Sequence, residues 1–66
     1  MSSLGEEYPK QQARCREVLG QYIEIGPAGN FGAMMIRATL KEADEAAVSG
    51  DVARMLRAFE AMKDVQ

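Results

Sequence analysis

Few groups in this chain are suited to chemistry. Cys15 is the single thiol and stands between Arg14 and Arg16, a pairing that would lower a thiol's pKa if the charges shared its face. Neighbouring residues on a helix point about 100° apart, so neither arginine stands over the sulfur. Cys15 is therefore expected to be an inert packing residue. Glu42, Asp44 and Glu45 gather in one stretch and could serve a di-metal bundle if they faced inward beside Glu-x-x-His partners. The chain has no histidine, which removes both those ligands and the commonest general base near neutral pH. The three acids are expected to form a solvated face. Gly29-x-x-Gly32 precedes a helix, where backbone N–H groups can hold an anion. The P-loop lysine and hydroxyl are missing and the loop carries no positive charge, so a tightly packed corner is expected. No catalytic residue, metal ligand or cofactor is assigned, and the chain is read as a non-enzyme.

The methionines carry the remaining signal. There are five in 66 residues, and methionine is common on adaptable binding surfaces. Met34 and Met35 are adjacent and cannot both centre on one inward face. Phe31 and Met34 are thus expected to stay partly exposed beside the loop. With Tyr22, Met55 and Met62 they make up the candidate partner-binding set.

Three helices would position these residues. Ser3 followed by Glu6 matches a capping box, but Pro9 interrupts the apolar run after it. Residues 1–8 are accordingly read as a flexible lead, with Pro9 at the first helical position and the helix running to about Glu24. Gly20, inside it, fits either solvent-side tolerance or a close approach by a neighbour. Gly26 and Pro27 stop the first helix. Asn30 is a fair N-cap for a second over 31–49, an earlier start with a short turn from Pro27 being the alternative. Ile36, Leu40, Ala43 and Ala47 recur at helical spacing, and Met35, Thr39 and Ala46 widen that face. Gly50 would close the second helix and Asp51 open a third over 52–64. The expected fold is all-α: a small three-helix bundle forming one domain, with helices two and three an antiparallel hairpin. Its expected core is Val18, Leu19, Tyr22, Ile36, Leu40, Ala43, Ala47, Met55, Leu56 and Phe59.

Composition narrows how such a bundle persists. A chain of this length buries only about 60% of its unfolded surface, and the usual supports are disulfides, a metal or a partner subunit. With one cysteine and no histidine, association with another chain is the support left beyond good helix packing. Eight basic and ten acidic residues give a net charge of −2, interspersed rather than blocked, so a nucleic-acid partner is disfavoured. No run is apolar and long enough for a membrane span, and the N-terminus lacks signal-peptide features. A cytoplasmic setting is expected.

The segments EIGPAGNFGAMMI and EADEAAVSGDVARMLRAFEAM resemble small uncharacterised proteins encoded by bacteriophages and prophages of Gram-negative bacteria. The resemblance implies a short accessory protein that binds a host protein, and it carries no chemical motif. The expected function is a non-enzymatic protein–protein interaction module, pairing an apolar helix surface with itself, as a homodimer, or with a host protein. The alternative is a helix-turn-helix-like regulator of nucleic acid, with Arg54 and Arg57 on its recognition helix.

Overall fold

Ser3 caps the first helix. Its backbone is extended, its Oγ accepts from the Glu6 N–H at 3.3 Å, and its carbonyl accepts from the Glu7 N–H at 2.9 Å. In this computed structural model, which describes residues 3–66, α1 spans Leu4–Ile25. It begins more than a turn before the expected start at Pro9. The flexible lead is thereby corrected: residues 1–2 lie outside the described residues, and 4–8 are helical. Pro9 sits inside the helix, where it cannot donate to the Gly5 carbonyl, a defect of about 3 kcal/mol. What outweighs it is Tyr8, which is 2% exposed. Its phenol donates to the Ala43 carbonyl at 2.7 Å, and its ring stacks on Phe59 at a centroid distance of 6.3 Å. Only a helical turn ahead of Pro9 brings Tyr8 to that place, and the same turn lays Leu4 on the core.

Gly26 ends α1 with a φ of 87°. A short 3-10 turn, Pro27–Gly29, leads directly into α2, Asn30–Ser49. The earlier start is thus the one adopted, and Asn30 lies within the helix rather than capping it. Gly50 closes α2 in the left-handed conformation, φ 72°. Asp51 then caps α3, Val52–Lys63, by accepting from the Arg54 N–H at 3.1 Å. All three pairs of helices touch, giving the all-α three-helix bundle expected.

The core is a seam rather than a ball. Ala33, Ile36, Leu40, Ala43 and Ala46 form the buried stripe of α2, and Tyr8, Cys15, Ala58 and Met62 fill the space against it. Val18, Leu19, Tyr22, Met55 and Phe59 pack around this cluster, half-buried. Two expected core positions are corrected. Ala47 is exposed, because Ala46 takes the inward place, and Leu56 is exposed, because Ala58 and Met62 set the buried line of α3. The Cα radius of gyration is 12.2 Å, with extents of 36 × 23 × 16 Å, against roughly 11 Å for a compact chain of this length. The slab is thin, which keeps the number of fully enclosed side chains small.

Two substitutions test the first turn. Pro9→Ala is expected to stabilise by about 2 kcal/mol, the gain in helix propensity less the lost restriction of the unfolded chain. Tyr8→Phe removes the phenol's hydrogen bond and is expected to lower stability by about 1 kcal/mol, or about 4–8 °C in melting temperature. Thermal unfolding followed by circular dichroism reads both. A destabilised Pro9→Ala would mean that the helix does not run through residues 4–8.

Candidate interaction surface

The corner between α1 and α2 positions the candidate residues. Gly29 and Gly32, one turn apart, both lie under Tyr22. A Cβ on Gly29 would collide with the Tyr22 backbone carbonyl, and one on Gly32 with the Tyr22 ring. The Gly-x-x-Gly spacing is therefore a packing device, and only Gly26 in this loop needs a positive φ. Tyr22 also donates its phenol to the Gln66 carbonyl at 2.8 Å. It thus ties the corner to the C-terminus and is half-buried in doing so.

α2 is apolar on two opposite sides in its first half. Its inward stripe is buried, while Phe31, Met34, Met35 and Ala38, at i, i+3, i+4 and i+7, point outward. Phe31 is 70% exposed and Met34 56%, as their sequence positions suggested. Met35, expected to widen the buried face, is exposed as well. It borders an open depression of about 260 Å³ between α2, Tyr22 and Val65. The set does not come together as one surface. Met55 is half-buried against the core, and Met62 is 0% exposed. Met62 is corrected from partner contact to core anchor, since the inward line of α3 runs through it. Sequence reasoning passed over Val48, 90% exposed near the α2–α3 turn, and also Ile23, Ile25 and Val52. Val48 follows Ala46 and Ala47 and reads as part of an inward alanine run, which is why it gave no signal.

The charged residues act as ties between helices. Asp44 accepts from Gln12 Nε2 at 2.9 Å and from Arg16 at 2.6 Å, joining α1 to α2. Glu42 takes both arms of the Arg54 guanidinium at 2.7 and 2.8 Å, joining α2 to α3. Those bonds hold the Glu42 carboxyl below its ordinary range, with a further contribution from the charge on Arg57. The acidic stretch is thus divided between two neighbours rather than left as a uniform solvated face. Arg14 turns across to the end of α3. It donates to the Met62 carbonyl at 2.6 Å and the Val65 carbonyl at 2.8 Å, at the helix terminus where a cation is favoured. Gly20 has open space where a Cβ would go, in keeping with solvent-side tolerance.

Cys15 is fully buried with its Sγ 3.5 Å from the Met62 carbonyl. Burial pushes its thiol pKa up, against the opposing pull of Arg14 and Arg16. Comparison of the chain with protein-family models, with curated proteins and with solved structures finds no match. The fold and the surface therefore carry the functional argument.

A raised thiol pKa means that the neutral form is favoured on folding. The associated stability is fully present below the ordinary thiol range and is lost as pH rises through the raised native value. Native Cys15 is expected to resist alkylation at neutral pH and to react fully once the chain is unfolded. Rapid modification of the native chain would contradict the packing around Met62. Gly29→Ala is expected to cost about 3 kcal/mol, because a backbone carbonyl cannot move aside as a side-chain tip can.

Proposed function

We propose that this chain is a non-enzymatic protein–protein interaction module that works through the outer face of α2. One observation carries the reading: Phe31, Met34 and Met35 stand exposed along one helix face, while four of the nine enclosed core residues are alanines. Burying one such side chain contributes about 1.5–3 kcal/mol, so a few anchors support micromolar binding. An amphipathic helix face of this kind suits helix–helix or helix-in-groove docking. The same residues fall inside EIGPAGNFGAMMI, one of the two segments that resemble phage and prophage proteins. A short phage accessory protein acting in the bacterial cytoplasm, on a host protein or on itself, fits that coincidence. The nucleic-acid alternative draws less support, because Arg54 of α3 is bound to Glu42.

Among the described residues no helix is long and apolar enough to cross a membrane.

Phe31→Asp tests the proposal. The variant should keep its helical circular dichroism, since Phe31 is 70% exposed and lies outside the core cluster. Self-association in a dilution series, or capture of a partner from bacterial lysate, should fall by about tenfold or more. If both are unchanged, the outer face of α2 is not the working surface.

A further inference from the structure

We infer that the occupant of the outer α2 face is a second copy of this chain, docked by antiparallel two-fold pairing of α2 with α2. The inference rests on the interaction reading above and names its partner. Phe31, Met34, Ala38, Lys41, Glu45 and Val48 are all exposed and succeed one another at steps of three, four, three, four and three. That is the seam spacing of a helix pair, and it lies on the side of α2 away from the bundle core.

The order of residue types selects the partner and its direction. With the two-fold axis between Thr39 and Leu40, Phe31 meets Val48 of the second copy, Met34 meets Glu45, and Ala38 meets Lys41. Each apolar end thus finds an apolar end, and the exposed Val48 is accounted for. Ala38 leaves room for the stem of the opposing Lys41, whose ammonium reaches the rim near Glu45 of its own helix. Arg37 flanks the seam, while Asp44 on the same side is held by Gln12 and Arg16 of its own chain. Parallel, in-register pairing would instead set Lys41 against Lys41 and Glu45 against Glu45. A two-fold interface requires such self-complementarity. The seam is about 26 Å long, short of a standard stable interface, so the dimer dissociates on dilution.

The test is a charge-swap series on the purified chain, read by sedimentation equilibrium with circular dichroism as the folding control. The wild type should pass from two chains to one on dilution from about 1 mM to about 1 μM. Met34→Asp sets a carboxylate against Glu45 of the other copy and should weaken the dimer about tenfold or more, whereas Met34→Lys should retain it. Adding Glu45→Lys to Met34→Asp should restore the dimer to within about threefold of wild type. A monomer at every concentration overturns the inference, as does a dimer indifferent to Met34→Asp or a double variant no better than Met34→Asp. If the monomer still captures a lysate protein in a Phe31-dependent way, the second copy is excluded while the interaction reading survives. Loss of both fails the two together.

Discussion

Close approach to α2 is the constraint on which this bundle depends. Its inward stripe carries Ala33, Ala43 and Ala46 beside Ile36 and Leu40, and its entry carries Gly29 and Gly32. Small residues let α1 and α3 come near enough for long side chains to cross the gap. Tyr8 reaches the Ala43 carbonyl, and Cys15 and Met62 meet in the middle. A larger residue on α2 would push the neighbours apart and break these contacts together. The consequence is a narrow core, because alanines contribute little apolar area of their own.

Polar ties make up part of that shortfall and fix the arrangement of the helices. Gln12 and Arg16 hold Asp44, Arg54 holds Glu42 with both arms, and Arg14 holds the end of α3. Exposed ion pairs contribute only modestly, so their value here is directional. A fork from Arg54 to Glu42 specifies how α3 lies on α2 in a way that methyl groups cannot. The Arg14 bonds are of another kind, since they satisfy carbonyls left open at a helix end.

How much of this was legible depended on how local each cause was. Gly50 and Asp51 form a self-contained cap pair, and the α2–α3 turn could be read from them. The three-helix architecture followed from spacing alone. Ser3 and Glu6 also form a local signal, but it conflicted with Pro9, and the residue that settles the conflict is Tyr8, whose partner Ala43 lies 35 positions away. No local rule anticipates such a bond. Ala47 and Leu56 failed for a related reason: alanine runs and broad apolar faces leave the rotation of a helix undetermined by tens of degrees. At the candidate surface, Phe31 and Met34 were legible because Met34 and Met35 cannot both point inward. Met62 was not, because whether an apolar residue near a chain end is core or contact depends on what covers it, and Arg14 and Cys15 cover it from α1.

The outer face of α2 then follows from the same geometry. The inner side of α2 uses Ala33, Ala43 and Ala46 to let its neighbours in, and apart from Ile36 and Leu40 its large apolar residues lie elsewhere. Phe31, Met34 and Met35 could not take the places of the inner alanines without pushing α1 and α3 away. The sequence places them outward instead, at helical spacing, beside a corner stiffened by Gly29 and Gly32 against Tyr22. Apolar groups held out in water along a rigid helix raise the free energy of the lone chain and lower that of any complex that covers them. Preorganisation of that kind favours a surface that meets another surface over one that merely completes a fold.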